Sequence, residues 1–289
     1  MVAAHTNGTA KSTNAARVVT RSPKVNIHVL DISGNKIGDS GAVILSGMMS
    51  KLTNLSVTDC GLGSIGIKAI CTRAQSTSLE SLDLSRNVAG YDGWTELGHL
   101  LLCNKTLKTL RLVSCRLSGI DIQIISLGLT FSGLEYFDIS DNRLVFDAAI
   151  VLSAALGWSR HVDTLKTLFM RHAGIGLTAM KEMIHVLERC TKLSSIDLSS
   201  NRLGDEGLQF FFMIDSIQKK GVQMICKAIV DGRCSELMIL CLSDNQIGDE
   251  GAIAIAGALE HLPKLEALDL NRNRIAKNGT FFLSLFHSS

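Results

Sequence analysis

One hydrophobic frame recurs along the chain. It is clearest from Leu265, where Leu265, Leu268 and Leu270 are followed by Asn273, Ile275, Gly279 and Leu283. A second copy runs Leu237, Leu240, Leu242, Asn245, Ile247, Gly251, Ile255, Leu259. The same frame starts at Ile27, Leu52, Leu79, Leu107, Leu134, Leu165 and Leu193, so nine copies follow one another at spacings of 25, 27, 28, 27, 31, 28, 44 and 28 residues. A period of this size predicts a solenoid, in which each unit buries its apolar face only against its neighbours.

Each copy opens L-x-x-L-x-L, which reads as a short strand with one buried face. In the third copy Leu82 and Leu84 point inward, while Ser81, Asp83 and Ser85 point outward. Next comes an asparagine or a small substitute: Asn35, Cys60, Asn87, Cys115, Asn142, Ala173, Asn201, Asn245 and Asn273. An amide there can satisfy backbone groups where the chain leaves the strand. Glycine usually follows six residues later (Gly41, Gly66, Gly93, Gly207, Gly251, Gly279), and the apolar spacing then changes to four, which is helical. Parallel strands stack about 4.7–4.9 Å apart, whereas helices need about 10 Å. The stack must therefore curve, with strands inside and helices outside. Nine strands make roughly 38 Å of continuous sheet.

This frame resembles the leucine-rich repeat family, in its ribonuclease-inhibitor-like class with long, helix-bearing repeats. The resemblance covers residues 25–289. It implies an α/β leucine-rich repeat solenoid, a horseshoe with a concave parallel sheet and convex helices. Cys60 and Cys115 at the asparagine position are a variation of that class, and Ala173 departs from it. The function implied is a non-enzymatic scaffold for protein–protein interaction, holding a protein partner on its concave face. Alternatives within the same repeat family are a Ran-type GTPase-activating protein, a tropomodulin-like capping module and the ligand-sensing fragment of a larger receptor. No catalytic motif of the Ran type can be matched, so no residue is carried over.

Composition narrows the partners. A formal charge of +2, a pI near 8.1 and 5% aromatic residues give no general field or stacking platform for nucleic acid or an acidic membrane. No small-molecule substrate, cofactor or metal is expected. The eight cysteines contain no C-x-x-C pair and read as reduced thiols, which with the absence of a secretory signal pattern points to a cytoplasmic protein. Residues 1–24 are polar and free of acid, with Lys11, Arg17, Arg21 and Lys24; they read as a tail or degenerate cap rather than a transit peptide.

Gly61-Leu62-Gly63-Ser64-Ile65-Gly66 matches the spacing of a dinucleotide-binding loop, but each residue also has a place in the repeat frame. Asp31, Asp83, Asp138, Asp197 and Asp269 form a column of outward acids, read as solvated repeat vocabulary rather than paired catalytic carboxylates. The middle of that face is less ordinary. Repeats four to six place Arg111, Tyr136, Phe169, Arg171 and His172 at exposed strand or strand-end positions, a composition enriched in interface hot spots. The competing reading has Arg111 merely pairing with Asp83 and Asp138, with Phe169 covered locally.

Two segments break the period. The approach to repeat six is lengthened from Gly157 to Asp163 and contains Trp158, Arg160 and His161. In repeat seven, removal of Leu208–Gly221 restores a standard helix frame of Val222, Ile225 and Ile229, so this stretch is expected to be an insertion outside the regular solenoid, or a gene-model artefact. The run Phe281-Phe282-Leu283-Ser284-Leu285-Phe286 reads as a poorly capped end, expected of a fragment or of a surface that docks elsewhere.

Overall fold

The computed structural model describes residues 26–201, 220–231 and 234–285 of the 289. The alternation of strand and helix frames becomes nine three-residue strands in one parallel sheet, ordered β1 to β9. They are β1 (Val29–Asp31), β2 (Asn54–Ser56), β3 (Ser81–Asp83), β4 (Thr109–Arg111), β5 (Tyr136–Asp138), β6 (Thr167–Phe169), β7 (Ser195–Asp197), β8 (Ile239–Cys241) and β9 (Ala267–Asp269). The register is constant: the middle residues Leu30, Leu55, Leu82, Leu110, Phe137, Leu168, Ile196, Leu240 and Leu268 are paired in one row. Since side chains alternate along a strand, this row faces inward and the residues on either side of it face out.

Helices pack behind the sheet: α1 (Gly38–Ser46), α2 (Ser64–Ala74), α3 (Tyr91–Cys103), α4 (Gly119–Leu129), α5 (Phe146–Gly157), α6 (Leu177–Arg189), α7 (Lys220–Asp231), α8 (Asp249–Leu259) and α9 (Lys277–Leu285). Each packs on its neighbours in the series, and one continuous core runs from Ala42 to Leu262. The repeat glycines matter because neighbouring units approach closely there. A Cβ at Gly66 would lie 2.6 Å from Asp39 Oδ1, and one at Gly93 would lie 3.2 Å from the Ser64 Cα. The lengthened approach to repeat six is a turn followed by a 3-10 segment, Val162–Thr164.

The asparagines form the polar spine of the stack. Asn87 Oδ1 accepts the N–H groups of Cys60 and Leu62 in the previous repeat at 3.1 and 3.0 Å, while its Nδ2 donates to the carbonyls of Val57, Leu84 and Ser85. Asn142 repeats the pattern toward Cys115 and Leu117, and Asn201 toward Ala173 and Ile175. Cysteine reproduces only the donor half: Cys60 Sγ points at the Ile32 and Thr58 carbonyls, and Cys115 Sγ at those of Leu84 and Val113.

The residue before each of these positions has positive φ: Gly34, Asp59, Arg86, Ser114, Asp141, His172, Ser200, Asp244 and Arg272. This left-handed column bends the chain out of the sheet. The predicted insertion, Leu208–Gly221, and the 1–24 tail lie outside the described residues, apart from Lys220 and Gly221 at the start of α7. Beyond them Val222, Ile225 and Ile229 are buried, as the interrupted frame requires.

Candidate functional site on the sheet face

The outward column of acids has a structural task. Oδ1 of Asp31, Asp83, Asp138 and Asp197 accepts the backbone N–H of the serine two residues on, and Asp269 does the same for Asn271, at 2.8–3.0 Å. These carboxylates stabilise the exit from the strand rather than assemble into acid–base pairs. The glycine-rich loop is similarly spoken for. Asp39 Oδ1 accepts the N–H groups of Gly63 and Gly66 at 2.7 and 2.9 Å, occupying donors that a dinucleotide phosphate would need. Among the described residues no group of three or more His, Cys, Asp or Glu is arranged to hold a metal ion. No helix among them is long and apolar enough to cross a membrane.

Three of the five singled-out side chains come from strands that the register sets side by side. Arg111 ends β4, and its guanidinium lies 4.7 Å from the centre of the Tyr136 ring, which opens β5. Tyr136 meets Phe169 of β6 edge-to-face at 5.6 Å. The contacts run diagonally because Arg111 stands opposite Asp138, and Tyr136 opposite Thr167. Arg111 reaches Asp83 at 3.9 Å, while Asp138 is not at ion-pair distance. The pairing expected with both acids is thus formed with one. Tyr136 and Phe169 are half-buried, and Arg111 is exposed.

Arg171 is exposed two residues past the end of β6. Its backbone N–H donates to Ser140 Oγ, and among the described residues its guanidinium makes no ion pair. His172 is exposed in the left-handed turn, φ 49°, and its Nδ1 lies 3.4 Å from Asp141. The structure therefore joins Arg111, Tyr136 and Phe169 in one contact chain and sets Arg171 and His172 at its edge.

Burial acts on this patch electrostatically. Desolvation raises the Tyr136 phenol above its ordinary range, with Arg111 opposing it. It also raises the Asp138 carboxyl, against the hydrogen bonds from Ser140.

Sequence reasoning passed over a second row. Just before the strands, Glu80, Lys108, Glu135 and Lys166 stand in successive repeats with alternating sign. Lys108 reaches Glu80 at 3.5 Å, and Lys166 reaches Glu135 at 2.6 Å. The Lys166 hydrogen bond holds the Glu135 carboxyl below its usual value, helped by the charges of Lys166, Lys108 and Lys192. These four and Tyr136 line an open depression of about 270 Å³. The signal was present as a sign alternation at the position after each opening leucine, legible once the copies are aligned column by column.

A parallel stack of strand–turn–helix units, pinned by an asparagine spine and presenting an exposed sheet face, defines a leucine-rich repeat protein. This chain is one, of the ribonuclease-inhibitor-like class. The Leucine Rich repeat family matches it at residues 25–46, 49–71, 75–93, 189–212, 233–256 and 261–284. It is similar to the ribonuclease inhibitor of Sus scrofa, at 27% identity over 202 residues, covering 68% of this chain and 43% of that protein. The ribonuclease inhibitor of Mus musculus is 28% identical over 193 residues, covering 64% and 42%. NACHT, LRR and PYD domains-containing protein 14 of Homo sapiens is 28% identical over 271 residues, covering 89% of this chain and 23% of that protein. The chain thus spans less than half the length of these curated relatives.

Proposed function

We propose that this chain works by binding rather than catalysis, as a cytoplasmic scaffold that receives a protein partner on its concave sheet face. The contact residues are Arg111, Tyr136 and Phe169, with Arg171 and His172 at the edge. The observation that carries this reading is the Arg111–Tyr136–Phe169 contact chain, an arginine and two aromatic rings held on a rigid sheet yet open to solvent. Side chains already ordered by their neighbours lose little freedom on binding, and arginine and tyrosine are among the residues that dominate interface energies. Similarity to proteins named as ribonuclease inhibitors, which bind a protein as their activity, supports the same class of function.

The test starts with affinity capture on the intact chain and mass spectrometry, followed by titration of the purified partner. Alanine at Tyr136, Phe169 or Arg171 is expected to weaken binding, while alanine at the exposed helix residue Lys181 is expected to leave it unchanged. Silent sheet-face changes together with a damaging Lys181→Ala would move the interface to the helix side.

A second reading has one observation in its favour. The chain aligns along 89% of its length with 23% of a NACHT, LRR and PYD domains-containing protein, as a ligand-sensing portion of a larger receptor would. Sequencing the full transcript for an in-frame NACHT segment tests it.

A further inference from the structure

We infer that the turn between α5 and β6, with the ends of α4 and α6 beside it, is a second docking surface, and that it takes an acidic segment of a protein partner. This is where the repeat is lengthened: 31 residues separate Leu134 from Leu165, against 27 and 28 for the spacings on either side. The longer turn carries Trp158, Arg160 and His161, all exposed. Trp158 keeps 58% of its surface in solvent, whereas the chain's other tryptophan, Trp94, is fully buried. Tryptophan and arginine are prominent among the residues that dominate interface energies, and loops on a rigid scaffold are where binding groups collect.

Direct contacts make these residues one patch. The Arg160 guanidinium lies 4.8 Å from the centre of the Phe131 ring, just past the end of α4. Arg189, which ends α6, lies 5.7 Å from the centre of the Trp158 ring and donates to the carbonyls of Gly157 and Ser159. The His185 ring packs 4.5 Å from that of Trp158. Gly157 permits this approach, because a Cβ there would sit 2.9 Å from both the Glu182 carbonyl oxygen and the His185 Cβ. The turn is also stitched to the repeat before it. The Arg160 N–H donates to the Thr130 carbonyl at 3.1 Å, and Ser159 Oγ reaches the Leu129 and Thr130 carbonyls at 3.4 Å. Two cation–aromatic stacks are thus fixed side by side on tied-down backbone.

Charge selects the occupant. The helix-to-strand connections at 102–108, 129–135, 156–166 and 187–194 carry six cations, Lys105, Lys108, Arg160, Lys166, Arg189 and Lys192, against three acids, Glu135, Asp163 and Glu188. Two of the acids are already engaged, Glu135 by Lys166 at 2.6 Å and Glu188 by His185 at 3.2 Å. The negative ends of the helices are offset in the same place, since Arg189 meets the carbonyls that end α5. Arg160 makes no ion pair among the described residues. A guanidinium stacked on a ring keeps its edge for a carboxylate, and of its five N–H donors Arg189 spends two on those carbonyls, leaving about three. The interspersed acids disfavour a uniform phosphate backbone. A protein segment places its carboxylates one at a time and can avoid them.

This surface does not depend on the sheet-face reading, and the experiment keeps the two apart. A library of short random peptides is panned on the intact chain, and the most enriched peptide is labelled and titrated by fluorescence anisotropy. The expected peptides are rich in Asp or Glu, and raised salt should weaken their binding. Their binding should also shift the tryptophan emission to shorter wavelength, a change that reports Trp158 because Trp94 is already out of water. Trp158→Ala and Arg160→Glu should each weaken binding about tenfold or more, the size of effect for losing an interface anchor or reversing a contact charge. Lys68→Ala, exposed on α2, should leave it unchanged. Circular dichroism checks that each variant is folded, and Arg160→Gln, which removes only the charge, serves if the reversal unfolds the turn. Enrichment of neutral or basic peptides, no enrichment, or equal binding by the Trp158 and Arg160 variants would each overturn the proposal. So would loss of binding with Tyr136→Ala instead, which would place the peptide on the sheet face. Tighter binding of a single-stranded oligonucleotide or of anionic vesicles at the same turn would overturn it too, since the occupant would then be of another class.

Discussion

Repeats one to three and seven to nine match the leucine-rich repeat family in sequence, while repeats four to six lie outside the matched residues. Yet the backbone does not distinguish them. β4, β5 and β6 keep the register of their neighbours, and the left-handed turn recurs at Ser114, Asp141 and His172. What changes is the outward side chain. The column that reads Asp31, Ser56, Asp83 at one end and Asp197, Cys241, Asp269 at the other reads Arg111, Asp138, Phe169 in the middle. The fold is held by the inward row and the asparagine spine, so the outward positions are free to vary. The centre also departs on the spine, at Ala173, and in the lengthened approach to repeat six, so its outward face changes alongside those two features.

The hardest way to break this comparison is to attack the spine in both regions. Asn142→Ala, in the centre, strands the buried N–H of Cys115 and the carbonyls of Leu112 and Ile139 at once. Leaving several buried groups unsatisfied is expected to cost about 3–5 kcal/mol, read as a fall in the denaturation midpoint. Asn87→Ala, in a repeat the family matches, should cost about the same, because its bonds are the same. A large difference would mean the centre is held by something other than the shared spine.

Next in size is the sheet face. Alanine at Tyr136, Phe169 or Arg171 should each cost at least about 2 kcal/mol of partner binding, roughly 30-fold, if these are hot spots. Stability should fall less, since Arg171 is exposed and Tyr136 and Phe169 are only half-buried. Alanine at Asp197 or Asp269, in the flanking repeats, should leave binding unchanged. An equal loss at both would show that the partner reads the whole face rather than its middle.

Cysteine on the spine gives a smaller effect. Cys115→Ala should cost about 1 kcal/mol, because a thiol is a weak donor and supplies no acceptor to the preceding repeat. Burial pushes its thiol up to about 12 and that of Cys226 to about 12, so both should resist iodoacetamide near neutral pH while exposed Cys103 is alkylated first. Mass spectrometry of the labelled peptides reads this order. Early labelling of Cys115 would reveal opening of the central repeats.

The strands, the inward row and the asparagine spine were legible in the sequence because burial on one face forces a period that survives any choice of outward residue. Arg111, Tyr136 and Phe169 were legible as exceptions to a column. Their diagonal contact was not, since it depends on which strand end each side chain leaves from. The left-handed turn column escaped for another reason: its occupants run from Gly34 to Arg86 to His172, and no single residue type announces it. The strand-entry ladder of Glu80, Lys108, Glu135 and Lys166 was hidden by a similar averaging, because opposite signs at one position read as merely polar until neighbours are compared.

That ladder supplies the smallest effect and the finest test of the comparison. Lys166 and its basic neighbours lower the folded pKa of Glu135, so the ionised form is favoured in the fold. Its contribution is present above the unfolded value of about 4.3 and is lost as pH falls through the lower folded value. Asp138 has the opposite sign. Burial raises its folded pKa, so stability is lost as pH rises from the unfolded value of about 3.9 through the raised folded one. Both groups sit in repeat five, and in mildly acid solution they pull against each other. Glu135→Gln should remove part of the stability loss on acidification, by at most a few tenths of a kcal/mol because the Lys166 pair is largely solvent-screened. Asp138→Asn should flatten the opposing limb while keeping an Oδ1 that can accept the Ser140 N–H. Denaturant midpoints of the two variants across pH 3 to 7 should therefore diverge from the parent in opposite directions. Parallel curves would mean that charge in the central repeats is insulated from folding, and that the ladder serves recognition alone.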